Sequence, residues 1–349
     1  MAIRVLVVDD SAFMRKVISE ILNEQEDIEV VGTARNGLDA LKKLERFDVD
    51  VMTLDLEMPV LDGLETIKRV MSTKPLPILV LSGVTEHSFD ITMKALSSGA
   101  VDFIAKPSGN ISLDLHKISH ELTAKIRSLA DIKLTRPAKT KLKVPTPHLK
   151  VVKPLPLEME VSKNIVAIGS STGGPRALEK LFMQLPAHLN AGILVIQHMP
   201  KNFTRSLAAR LNSLSSFTVK EASDGDYIKD GQALVAPGDF HLIVDNQKRV
   251  RLNQEPPVKY LRPAIDVTML SLPNVFKNRV VGVILTGMGN DGAKGMAAIK
   301  QNGGYTITQD KATSTIYSMP RAVYNQGNAD YVLPIEQIAN CIVKLVNEI

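Results

Sequence analysis

Over residues 1 to 130, short apolar runs alternate with stretches whose apolar residues recur three and four apart, and few folds accommodate that rhythm. The runs are RVLVVDD, EVVGTA, VDVMTLDL, PILVLSG and AVDFIAKP. Between them lie AFMRKVISEILNEQ, GLDALKKLERF, GLETIKRVMST and DITMKALSSG, and a helical pattern over about residues 112 to 130 closes the set. Strand followed by helix, five times over, predicts an α/β unit built on a doubly wound sheet of five parallel strands.

The rhythm breaks over residues 131 to 163. Pro137, Pro145, Pro147, Pro154 and Pro156 rule out a continuous helix there, and lysines recur between them. This reads as an extended, solvated linker. A second α/β series then occupies residues 164 to 349, with strand-like runs NIVAIG, GILVIQH, FTVKEA, RVVGVILTG, GYTITQD and ADYVLP. Residues 226 to 253 read instead as antiparallel hairpins, with turns at Lys229–Gly231 and Asp245–Lys248. A chain of 349 residues suits two such domains.

Composition excludes several classes. The net charge of +5 is mild for this length and sits largely in the lysine-rich middle, so it does not argue for a nucleic-acid partner. A single cysteine, Cys341, permits neither an internal disulfide nor a cysteine-cluster metal site, and its apolar helical surroundings predict a core residue. No apolar run approaches the ~18 residues that span a bilayer, and MAIRVLVV is too short for a signal sequence. The expectation is a cytoplasmic protein with no membrane insertion.

Open parallel sheets collect their sites where strands meet the following loops. In the first domain Asp9 and Asp10 end the first strand, Asp55 the third, Ser82 the fourth, and Lys106 the fifth. Crowded carboxylates favour a hard cation such as Mg²⁺. A carboxylate is also a nucleophile toward phosphorus, and Lys106 and the Ser82 hydroxyl suit the phosphoryl oxygens. Taken singly, each is an ordinary solvated strand end.

VVDDS, LDLEMPVLDG, VLSG and FIAKP, in that order, resemble the receiver domain of two-component response regulators over residues 1 to about 125. The resemblance implies that Asp55 accepts phosphate from a histidine kinase. It implies that Asp9, Asp10 and Asp55 hold Mg²⁺ together with the backbone carbonyl of Glu57. Phe103 falls at the family's aromatic switch position, where many receivers carry tyrosine.

In the second domain, Gly169-Ser170-Ser171-Thr172-Gly173 fits the G-x-S-x-G nucleophile elbow with Ser171 at its centre. Alone, it is equally a tight strand-to-helix connection. A nucleophilic serine needs a base, and His198 and His241 stand near strand ends in this domain. His198 ends the strand after the serine's unit, whereas His241 lies in the hairpin insertion and is less well placed. Asp291 follows the strand RVVGVILTG and suits the orienting carboxylate. The order serine, histidine, acid differs from that of α/β-hydrolases.

A rival reading starts from Gly287 to Gly292, which is literally G-x-G-x-x-G after a strand, with Asp310 about twenty residues on as a ribose acid. That reading predicts a dinucleotide site but leaves the serine turn and His198 unexplained.

AIGSSTGGP, QHMPKNFTRSLAARL, APGDFH, RPAIDV, VILTGMGNDGAKGM and MPRA resemble the chemotaxis protein-glutamate methylesterase family, CheB, over residues 164 to 346. The resemblance implies Ser171 as nucleophile, His198 as base and Asp291 as its orienter, with Thr172 and Met288 at the oxyanion or active-site loops. It implies hydrolysis of glutamate methyl esters, and deamidation of glutamines, on the helical cytoplasmic regions of chemoreceptors. The enzyme would gather at receptor clusters. No cofactor is expected in this domain. Phosphorylation at Asp55 would relieve an obstruction of the catalytic face by the receiver. A response regulator whose second domain only binds a partner or DNA is the alternative, and the absence of a helix-turn-helix pattern disfavours DNA binding.

Overall fold

A computed structural model describes residues 2–106, 111–132 and 160–349. The chain divides into two compact units, Met1–Thr146 and Pro147–Ile349. Most of the linker expected over residues 131 to 163 lies outside the described residues.

In the first unit, β1 (Ile3–Val8), β2 (Ile28–Ala34), β3 (Val51–Asp55), β4 (Ile78–Ser82) and β5 (Asp102–Ala105) alternate with α1 (Ala12–Asn23), α2 (Gly37–Arg46), α3 (Gly63–Thr73), α4 (Glu86–Ser98) and α5 (Ile111–Ala130). The strands pair in the order β2-β1-β3-β4-β5, parallel throughout, as the alternation predicts. Every residue of β3 and β4 is buried, which explains their continuous apolar character. Side chains stop the loops and start the helices. Ser11, Asn36, Asp62 and Thr85 each accept a hydrogen bond from the backbone N–H three residues on. The chain reverses its direction of winding between β1 and β3, and that crevice is where a doubly wound sheet binds ligands.

In the second unit the strands are β6 (Ile165–Ser170), β7 (Gly192–Gln197), β8 (Thr218–Glu221), β9 (Gln232–Val235), β10 (His241–Val244), β11 (Val250–Asn253), β12 (Val280–Ile284), β13 (Tyr305–Gln309) and β14 (Tyr331–Leu333). The helices are α6 (Gly174–Phe182), α7 (Phe203–Leu214), α8 (Ile265–Phe276), α9 (Ala293–Gln301), α10 (Ser318–Asn325) and α11 (Ile335–Glu348). Seven strands form one parallel sheet in the order β14-β13-β12-β6-β7-β9-β8. Its switch in winding falls between β6 and β12.

One expectation needs correcting. Only one hairpin exists in the insertion, β10 with β11, turning at Asp245–Lys248. The turn at Lys229–Gly231 leads instead into β9, which runs parallel to both β7 and β8 and slots between them. Turn residues signal that the chain reverses, but they do not say which strand the next run will join. Here Gly231 N–H donates to the carbonyls of Leu189 and Ala191, so the turn docks on distant chain.

Candidate functional site

The central strands β12, β6 and β7 end in three loops at one edge of the second unit's sheet. β6 enters its loop at Ser170, directly in register with Gln197 of β7. The next residues on each strand are Ser171 and His198. Ser171 N–H donates to Thr286 O at 3.0 Å, and His198 N–H donates to Ser170 O at 3.0 Å, so pairing extends one rung past the named strands.

The imidazole of His198 bridges toward the loop after β12. Its Nε2 lies 2.8 Å from Asp291 Oδ2. Asp291 is buried and accepts three backbone N–H bonds besides: Ile265 at 2.6 Å, Asp266 at 3.0 Å and Gly292 at 3.0 Å. Burial alone would raise its pKa, but His198 and the donors at Asp266 and Ile265 outweigh it and hold the carboxyl below the ordinary carboxylate value. With Nε2 facing the Asp291 carboxylate, Nδ1 is the ring nitrogen left free to take a proton. The expected trio therefore converges on one edge.

Glycines let these loops approach. A Cβ on Gly287 would stand 2.8 Å from Ser171 Cβ and 2.3 Å from Met319 Sδ. Gly173 adopts φ 77° at the entry to α6, where Pro175 fits the first turn. Gly287 of the G-x-G-x-x-G pattern is thus required by the serine beside it, and Asp310 Oδ1 is engaged locally by Thr313 N–H at 2.9 Å and its hydroxyl at 2.6 Å. Neither feature calls for a dinucleotide. His241 is buried, with Nε2 facing Pro256 O at 3.3 Å and Nδ1 accepting from Ala264 N–H at 3.3 Å, so it is a structural clamp.

Two residues went unnoticed in the sequence. Gln197 Oε1 accepts from the Ser170 hydroxyl at 2.6 Å, while its Nε2 donates to the carbonyls of Ser171 and His198. This one buried amide ties the serine turn to the histidine. Asp266 Oδ1 accepts from Gly295 N–H at 2.8 Å, and burial raises its carboxyl, opposed by that N–H and reinforced by the Asp291 charge. A glutamine ending a strand carries no chemical signature, and Asp266 matters through contacts that only folding creates. Thr172 is buried and Met288 is 36% exposed, in the two loops beside Ser171.

In the first unit, Asp9, Asp10 and Asp55 bring carboxylate oxygens within 4.8 Å of one another. Lys106 Nζ reaches Asp55 Oδ2 at 2.7 Å and Asp9 Oδ2 at 2.9 Å. Lys106 thus bridges two buried carboxylates, and its ammonium is the cation facing Asp9 Oδ2, which meets no other hydrogen-bond donor among the described residues. Burial pushes the Asp55 carboxyl up; Lys106 opposes this and Asp9 adds to it. Such a trio fits a small oxygen-seeking dication. Ser82 reaches the same edge, but its hydroxyl lies 2.6 Å from Thr92 Oγ1 of α4. Glu57 N–H faces Asp55 Oδ1 at 3.3 Å. Phe103 is buried, with Lys125 Nζ donating to its carbonyl at 2.6 Å. Among the described residues no helix is long and apolar enough to cross a membrane.

An acidic receiver-type sheet, followed by an α/β unit with serine, histidine and aspartate on adjoining strand ends, defines a response regulator with a hydrolase-like output domain. The CheB methylesterase model matches residues 166–342, and the response regulator receiver domain model matches residues 5–116. A protein-glutamate methylesterase/protein-glutamine glutaminase of Symbiobacterium thermophilum is 49% identical over 99% of this chain and 98% of its own. One of the same name from Thermotoga maritima is 44% identical over 99% of this chain and 98% of its own. The crystal structure of the Thermotoga maritima CheB methylesterase catalytic domain superposes with a TM-score of 0.52 at 46% identity, covering 53% of this chain and all of that one. The chain belongs to the CheB methylesterase family.

Proposed function

We propose that this chain is a protein-glutamate methylesterase and protein-glutamine glutaminase acting on the cytoplasmic helices of chemoreceptors, switched on by phosphorylation of Asp55 by the chemotaxis histidine kinase. Residues 1–130 act as the receiver, 131–163 as the linker and 164–349 as the catalytic domain. The observation that carries the reading is the 2.8 Å contact between His198 Nε2 and Asp291 Oδ2, one residue past the strand pairing that sets Ser171 beside His198.

Ser171 Oγ attacks the ester carbonyl carbon as His198 Nδ1 takes its proton. Asp291 holds the imidazole through Nε2 and stabilises the cation that forms. Backbone N–H groups near Thr172 and Met288 receive the oxyanion. The tetrahedral species expels methoxide, which takes the proton from His198 and leaves as methanol. Water then attacks the acyl-enzyme, giving up a proton to His198, and its collapse returns Ser171 and a free glutamate. A glutamine side chain follows the same course, with ammonia as the leaving group.

In the receiver, Asp9, Asp10, Asp55 and the Glu57 carbonyl would hold Mg²⁺, which supplies charge neutralisation at the phosphoryl group. Lys106 bears on the same oxygens. The Ser82 hydroxyl must leave Thr92 to reach them, which links the phosphorylation state to α4. Such a cytoplasmic enzyme works at receptor clusters.

Full-length protein incubated with methylated receptor membranes tests the reading through methanol release. Release that rises on treatment with Mg²⁺ and a small acyl phosphate is expected. No release under either condition contradicts the esterase assignment, and equal release contradicts phosphorylation control.

A further inference from the structure

Between β11 and α8 the chain makes a turn whose shape its own sequence disfavours. Val258 N–H donates to Leu261 O at 3.1 Å and Leu261 N–H donates back to Val258 O at 2.9 Å. The two residues between them, Lys259 and Tyr260, have φ of 51° and 67°. Two consecutive left-handed residues are the pattern of a type I′ turn, which selects asparagine and glycine. Lysine and tyrosine resist it, and tyrosine, with its bulky ring, does so strongly. Strain of this kind persists only where the surroundings enforce it, and it concentrates at functional sites.

The surroundings do enforce it. His241 grips Pro256 O before the turn and Ala264 N–H after it. The Arg262 guanidinium donates to the carbonyls of Gln254 and Glu255 and pairs with Asp239. The turn and the start of α8 that follows it each reach the catalytic loop. Lys259 Nζ donates to Asn290 Oδ1 at 2.6 Å, and Ile265 N–H donates to Asp291 Oδ2 at 2.6 Å. Three links, Lys259 to Asn290, Asn290 to Asp291 and Asp291 to His198, connect the turn to the imidazole.

All this bracing holds Tyr260 in solvent, 96% exposed. An exposed aromatic on a braced turn does nothing for the core. On a docking surface it supplies large contact area at little conformational cost. We infer that the Val258–Leu261 turn is a substrate-docking element, and that Tyr260 packs against an apolar side chain flanking the reacting glutamate on the protein substrate. Val258, 38% exposed at the base of the turn, extends the same contact. The inference rests on the esterase reading above and adds the specificity element to it.

The test compares full-length wild type, Tyr260→Gly and Tyr260→Phe on methylated receptor membranes and on a short peptide bearing one glutamate methyl ester. Glycine suits the left-handed backbone, so Tyr260→Gly removes the ring without disfavouring the turn, and its melting temperature should not fall. KM for the membranes should rise about tenfold in Tyr260→Gly, well beyond any change on the peptide, with kcat little altered. Tyr260→Phe should remain within about twofold of wild type, since the ring makes the contact. An unchanged KM for membranes in Tyr260→Gly, or equal losses on membranes and peptide, overturns the docking role while leaving the esterase intact. Wild-type protein inactive on both substrates overturns the esterase reading and this inference together.

Discussion

Asp266 and Asp291 exchange helix caps. Asp291, just before α9, accepts the first N–H groups of α8 from Ile265 and Asp266. Asp266, in the first turn of α8, accepts Gly295 N–H from the first turn of α9. Each carboxylate therefore satisfies donors that the other's helix leaves unpaired. The carboxylate that faces His198 is held by two helix starts at once, which explains how a loop residue can be placed as firmly as one in a strand.

Asp266→Ala should lower stability by about 1 kcal/mol, the usual worth of a cap, and reduce kcat as Asp291 loosens. Asp266→Asn keeps an acceptor for Gly295 and should retain most of the activity. Urea unfolding and methanol release on both variants check this. Equal activity loss in both would show that charge, and not capping, is what Asp266 contributes.

Asp291 has a folded-state pKa below its ordinary value, so its ionisation favours the native state. That stabilisation is fully present above the ordinary carboxylate range, near pH ~4, and is lost as pH falls through the depressed folded value. Asp266 has the opposite sign, because its raised value means that ionising it costs stability as pH rises. Melting temperatures between pH 3 and pH 6 should therefore fall less steeply toward acid in Asp291→Asn than in wild type. The same variant should lose about 10⁴-fold in kcat, since an amide no longer fixes the histidine's proton.

Gly287→Ala should be severe for a small change. Its methyl group would meet Ser171 Cβ at 2.8 Å and Met319 Sδ at 2.3 Å. A cost of about 1–3 kcal/mol in stability is expected from overpacking, with at least about 100-fold lower kcat from a displaced serine. Chemical denaturation and steady-state rates report the two effects separately.

In the receiver, Asp55→Asn should abolish phosphate incorporation from a small acyl phosphate. Incorporation by the wild type should require Mg²⁺. Burial raises the Asp55 carboxyl and Asp9 adds repulsion, so a bound dication should also raise the melting temperature of the wild type. Asp55→Asn should show a smaller rise.

Much of this was legible in the residues. Period-3.6 stretches between apolar runs specified the five-stranded receiver sheet, and carboxylates at the ends of β1 and β3 located its pocket. Ser171, His198 and Asp291 stood out because strand-ending serine, histidine and aspartate are chemically conspicuous. What stayed hidden depends on contacts between distant segments. β9 looked like half of a hairpin, because local turn chemistry says nothing about a strand slotting between β7 and β8. Gln197 and Asp266 act through hydrogen bonds to other loops. Tyr260 was invisible because the sequence VKYL contains none of the residues that its turn prefers.

Ser171 as nucleophile is the centre of the account, and its neighbour Ser170 provides the control. The Ser170 hydroxyl is fully buried and donates to Gln197 Oε1, while Ser171 is partly exposed where β6 enters its loop, one residue past the pairing of Ser170 with Gln197. Methanol release from methylated receptor membranes, measured for wild type, Ser171→Ala and Ser170→Ala, decides between them. The expected result is no release above background for Ser171→Ala and substantial release for Ser170→Ala. Release by Ser171→Ala at the wild-type rate would contradict the account.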